Sequence, residues 1–133
     1  MKTIKIILLL LVFNGFVQMV SAQNTEVINN IAVALKNGDA GKLSSYFNEN
    51  LQLVVGNKND IYSKQQSGGI IADFFKHNRV VGFDIVHKSN KEAASFIIGI
   101  LNTAGGKYRV SILLRKNGNA DVIQQLRIEL NND

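Results

Sequence analysis

The sequence predicts an α+β roll in which N-terminal helices pack against a curved, mainly antiparallel sheet. Three observations predict it. Apolar residues recur at helical spacing up to about His77 and at alternate positions from Val80 onward. The links between the later segments are short and rich in Gly and Asn, as in a meander of antiparallel strands. The length left after the N-terminal segment described next suits one hydrophobic core, and the simplest way to bury both apolar faces is to curl the sheet around the helices.

The chain opens with Lys2 and Lys5 and no acid, followed by an apolar run from Ile6 to Phe13 that Phe16, Val17, Met19 and Val20 extend. Val20-Ser21-Ala22 then places small side chains where a signal peptidase accepts them. Residues 1–22 are therefore expected to be a cleavable leader, cut between Ala22 and Gln23, with residues 23–133 as the exported domain, periplasmic or secreted. The rival reading is an uncleaved anchor. Asn14, Gly15 and Gln18 interrupt the apolar core, which is short for a bilayer span of about 20 residues, so no stable anchor is expected after cleavage.

The 133 residues contain no cysteine, which removes disulfides, thiolate metal sites and a lipoprotein signal. Of 15 basic residues two lie in the leader, leaving a mild excess over 10 acidic ones. These cations are spread along the chain, with only Arg115-Lys116 adjacent, so nucleic-acid binding is not expected.

Asn24-Thr25 can cap a first helix in which Val27, Ile28, Ile31 and Leu35 form one stripe ending at Asn37-Gly38. Asp39 can cap a second, shorter helix carrying Leu43, Tyr46 and Phe47. Leu51 to Val55 reads as a strand, Gly56 to Asp60 as a turn, and Ile61-Tyr62 as a brief strand. Ser63 is a good cap for a third helix holding Ile70, Ile71, Phe74 and Phe75. Four strands follow, from Val80 to Lys88, Ala93 to Leu101, Lys107 to Lys116 and Asp121 to Leu130.

Counting by twos, Val81, Phe83, Ile85 and His87 share one face of the first long strand, and Val122, Gln124, Leu126, Ile128 and Leu130 share one face of the last. His87 and Gln124 are then polar groups on core faces, which must find hydrogen-bond partners or line a cavity. Tyr46, Tyr62, Phe75 and Tyr108 are the aromatics placed to wall such a cavity. The opposite face displays Asp84, Arg109, Arg115, Gln125, Arg127 and Glu129. Asp73 and His77 stand at i and i+4 on the third helix; two ligands alone make a poor metal site, and the pair reads as a surface pair. Nothing resembles a phosphate loop, nucleophile elbow or zinc motif, and no cofactor or metal is expected.

The order helix, Gly-Asp-Ala, short helix, strand, small hairpin, helix and four strands resembles the nuclear transport factor 2-like superfamily, the cystatin-like roll. Asn37-Gly38-Asp39, Asp60-Ile61-Tyr62-Ser63-Lys64, Asp73-Phe74-Phe75, Phe83-Asp84-Ile85-Val86-His87-Lys88, Ile98-Gly99-Ile100-Leu101 and Ile123-Gln124-Gln125-Leu126-Arg127 are similar to domain-of-unknown-function family 4783 of Gram-negative bacteria. The resemblance implies a cone-shaped fold that often encloses a pocket and frequently dimerises through its sheet. It implies no reaction, because the superfamily hosts isomerases, dehydratases, cyclases and plain binding modules.

The function expected is non-enzymatic binding of a small apolar ligand or a protein partner, since acids and bases are scarce on inward faces. One alternative is a cofactor-free lyase or isomerase with His87 as general base and Tyr62 or Gln124 polarising the substrate. Another is a homodimeric assembly module paired through its sheet.

Overall fold

Helix α1 occupies residues 25–36 of a computed structural model that describes residues 25–91 and 93–132. The expected leader, its cleavage point between Ala22 and Gln23, and the cap at Asn24 lie outside the described residues. Ile28, Ile31 and Leu35 of the expected stripe are buried. Among the described residues no helix is long and apolar enough to cross a membrane.

Helix α2, Ala40–Ser44, begins where the sequence places it, with the Asp39 carboxylate accepting from the Lys42 N–H at 3.0 Å. It ends earlier than expected. The hydroxyls of Ser44 and Ser45 donate back to the carbonyls of Gly41 and Lys42 at 3.0 and 2.6 Å. The carbonyl of Tyr46 instead accepts from the Ile123 N–H at 2.7 Å. Tyr46 thus lies in a turn and Phe47 opens the sheet, rather than both riding on the helix.

Strands β1, Phe47–Val55, and β2, Lys58–Ser63, form a hairpin on a two-residue turn. Gly56 takes its first central position at φ +60°, which a side chain would disfavour. Helix α3, Lys64–His77, starts with a reciprocal capping box: the Ser63 hydroxyl accepts from the Gln66 N–H at 3.1 Å, and the Gln66 side chain accepts from the Ser63 N–H at 3.2 Å. Strands β3, Val80–Asn90, β4, Ala94–Thr103, β5, Gly106–Asn117, and β6, Ala120–Leu130, complete one six-stranded sheet in the order β2-β1-β6-β5-β4-β3. Among the described residues only the β1–β6 pairing is parallel.

Residues from Ile31 onward form one compact unit. In it α3 packs on β1 and β2, and α2 packs on α3. Leu53, Leu101, Val110, Ile112 and Leu126 are buried on the sheet's core face, and Leu43 of α2 and Ile71 of α3 are buried with them. Burying cross-strand rows of this kind removes apolar area from water, which stabilises the fold by roughly 25 cal/mol per Å². Gly99 is required by close approach: a Cβ there would stand 2.6 Å from Cε1 of Phe83 and 2.8 Å from the carbonyl oxygen of Asp84.

Register shifts correct two expected faces. In β3, Ile85 pairs Gly99 while His87 pairs Ile98, so Val86 is an extra, bulged residue. Past the bulge, the side-chain order is inverted, and His87 points to the outer face beside the half-buried Ile98 instead of ending the apolar row. A second shift, between Val80 and Gly82, leaves Val81 exposed. In β6, Leu113 pairs Gln125 and Leu114 pairs Ile123, which makes Gln124 the bulged residue. Ile123 is therefore buried, and Gln124 is exposed rather than inward.

Candidate functional site

The strongest candidate is a cleft of about 1030 Å³ between α3 and the near end of the sheet. Its floor follows from the register. On the core face Val110 of β5 stands opposite Ile128 of β6, Ile128 is level with Val55 of β1, and Val55 pairs Lys58 of β2. Ile128, Val55 and Lys58 all line the cleft. The apolar row thus ends at the sheet edge in a cation.

The opposite wall is one face of α3. Gln66, Ile70, Asp73, Phe74 and His77 line it, at the spacing of a single helical stripe. At the end of that helix, the Asn78 side-chain amide donates to the Phe74 carbonyl at 3.0 Å, and the Asn78 side-chain oxygen accepts from the Tyr108 hydroxyl at 3.2 Å. The Tyr108 and Phe74 rings meet edge to face, with centroids 5.1 Å apart. This cluster fixes the end of α3 against β5 and makes one end of the cleft.

Two of the six residues expected to surround a pocket line this one, Tyr62 and Tyr108. Phe75 is not in the lining and lies beside Gly38. Tyr46 is half-buried and not in the lining. His87 is exposed on the outer sheet face, so the apolar enclosure that would tune a general base is not provided there. Gln124 lines a smaller hollow of about 340 Å³, with Leu113, Arg115 and Ile61. The α3 stripe was legible as spacing, but its apolar members Ile70 and Phe74 read equally well as core. Only packing separates Ile71, which is buried, from them.

The lining carries few charges. The Asp73 carboxylate stands 3.5 Å from His77 Nδ1, and both side chains are largely exposed, which makes them the surface pair the sequence suggests. Among the described residues no three His, Cys, Asp or Glu side chains gather closely enough to hold a metal ion. Glu129 at the rim accepts from Arg127 Nε at 3.0 Å.

The family model described as domain of unknown function (DUF4783) matches residues 28–129. This chain belongs to the DUF4783 family. A crystal structure of a DUF4783 family protein from Bacteroides uniformis is 32% identical to it, covers 79% of this chain and 97% of that one, and superposes with a TM-score of 0.76. Another DUF4783 protein, from Bacteroides fragilis, is 35% identical over 77% of this chain and 96% of its own, with a TM-score of 0.73. An NTF-2-like protein of unknown function from Silicibacter pomeroyi matches at 12% identity over 83% and 94% of the two chains, with a TM-score of 0.59. That likeness shows the fold: this DUF4783 chain has the nuclear transport factor 2-like α+β roll. No curated protein matches it.

Proposed function

We propose that this protein is an exported binding domain that holds a small apolar ligand in the cleft between α3 and the sheet, without catalysing a reaction on it. The observation that carries the reading is the cleft: about 1030 Å³, with an apolar floor, Ile70 and Phe74 on the α3 wall, and polar groups both along that wall and at its ends. Pockets of this make-up bind small molecules by burying the apolar body and orienting it through a handful of hydrogen bonds. The expected leader at residues 1–22 supports a periplasmic or secreted site of action. Ile70→Arg places a charged chain in the cleft from its exposed side and should weaken binding of a neutral apolar dye, read by fluorescence enhancement, by more than about 10-fold. Unchanged dye binding by a folded variant would refute the reading.

A second reading, self-association through the outer face, has an observation of its own. The register sets Asp84, Ile100, Arg109 and Glu129 in one row and Phe96, Leu113 and Gln125 in another. Arg115 pairs Ala94 on the same face, and Arg127 is the ion-pair partner of Glu129. Phe96, near the start of β4, is 37% exposed on this face. Apolar centres flanked by charges of both signs suit a self-complementary contact. Sedimentation at high micromolar concentration should show a dimer that Ile100→Glu dissociates; a monomer throughout would exclude this reading.

A further inference from the structure

We infer that the cleft selects an apolar ligand with a carboxylate head, anchored at the sheet edge by Lys58 and Tyr62; the inference rests on the cleft being a binding site. The register supplies the first half of the argument. Ile128 and Val55 lie side by side on the cleft floor and the row terminates in Lys58, so an apolar body laid along this row, about 10 Å over two inter-strand spacings, ends against an ammonium. Lys58 and Tyr62 alternate onto the same face of β2, and both line the cleft.

The charges supply the second half. Of the two lining carboxylates, Glu129 is paired with Arg127 Nε at 3.0 Å, and Asp73 lies on the opposite α3 wall with His77 Nδ1 at 3.5 Å, a nitrogen that also stands 2.8 Å from the Asp73 carbonyl oxygen. Among the described residues Lys58 makes no ion pair and the Tyr62 hydroxyl makes no hydrogen bond. Asp60 alternates onto the same face between them; its Oδ1 accepts from the Ile61 N–H at 2.7 Å, it makes no ion pair with Lys58 among the described residues, and it is not part of the lining. An acid head would receive a charge-assisted hydrogen bond from Lys58 and a second bond from the tyrosine hydroxyl. A hydroxyl head would gain only neutral bonds, and an ammonium head would be repelled.

The test is calorimetric titration of the protein with decanoate, 1-decanol and decylammonium, one apolar body with three heads, below their micelle-forming concentrations and at neutral pH and low salt. Decanoate should bind about 5-fold more tightly than decanol, and decylammonium most weakly. Lys58→Met, an exposed position whose loss leaves the core intact, should bring the decanoate-to-decanol ratio close to one, and Tyr62→Phe should lower it by about 2-fold. Decanol binding as tightly as decanoate, decylammonium binding best, or a ratio that survives Lys58→Met overturns the head-group inference while leaving the cleft reading standing. If none of the three probes binds, the cleft reading fails and the inference falls with it.

Discussion

Strands β4 and β5 pair from Ala94 opposite Arg115 to Thr103 opposite Gly106 with no register shift, whereas β3 carries shifts at Val80/Gly82 and Ile85/His87, and β6 carries one opposite Leu113/Leu114. In the regular pair, side-chain direction follows from counting alone. Ile97, Gly99 and Leu101 turn inward with Ile112, Val110 and Tyr108 opposite them. In the bulged strands one extra residue inverts the order beyond it and adds local twist. Both polar residues that straight counting assigns to the core, His87 and Gln124, sit at such a bulge and face out. The cleft owes its floor to the part of the sheet that keeps its register.

Substitutions can break this comparison. Leu101→Ala, in the regular β4–β5 pair, should cost the most, about 3 kcal/mol in chemical denaturation; a loss below about 1 kcal/mol would mean the core face is misassigned. Gly99→Ala should follow at about 2 kcal/mol, because its Cβ would strike the Phe83 ring and the Asp84 carbonyl. Combining it with Phe83→Ala should recover part of that loss by relieving the overlap, and strict additivity in the double-mutant cycle would contradict the contact. Tyr108→Phe removes the 3.2 Å bond to Asn78 and should lower stability by about 1 kcal/mol.

His87→Ala and Gln124→Ala sharpen the same comparison at its small end. Each should change stability by less than about 0.5 kcal/mol, as for exposed positions, where a core-facing polar group would cost several-fold more. Smallest of all, Ser67→Ala should be neutral or slightly stabilising in thermal unfolding, since the Ser67 hydroxyl is buried without a hydrogen-bond partner among the described residues.

Much of the fold is legible in the residues because local chemistry sets it. Ser63 with Gln66 starts α3, Asp39 starts α2, and short Gly- and Asn-containing links make the hairpins. The faces of β3 and β6 are not, because a bulge is a tertiary compromise that leaves only a faint trace. That trace, the adjacent apolar doublets Val80-Val81, Ile85-Val86 and Val122-Ile123, does not by itself mark a bulge, because Ile97-Ile98 and Ile100-Leu101 are equally adjacent in the regularly paired β4. The cleft was half legible. The element that carries each places Tyr62 and Tyr108 near a cavity, but Ile70, Phe74 and Asn78 enter it through how α3 lies on the sheet, which no spacing rule specifies. Lys58 was hidden for a related reason: the sequence reads Gly56 to Asp60 as turn, and only the pairing of Val55 with Lys58 puts that ammonium at the end of an apolar row.

The most direct test of the central claim is a crystal structure of the protein purified from its native host, inspected for co-purified density. Elongated density is expected along Ile70, Phe74 and Ile128, with its polar end at Lys58. A cleft holding only ordered water, with bound density instead beside His87 or Gln124 on the outer face, would contradict that claim.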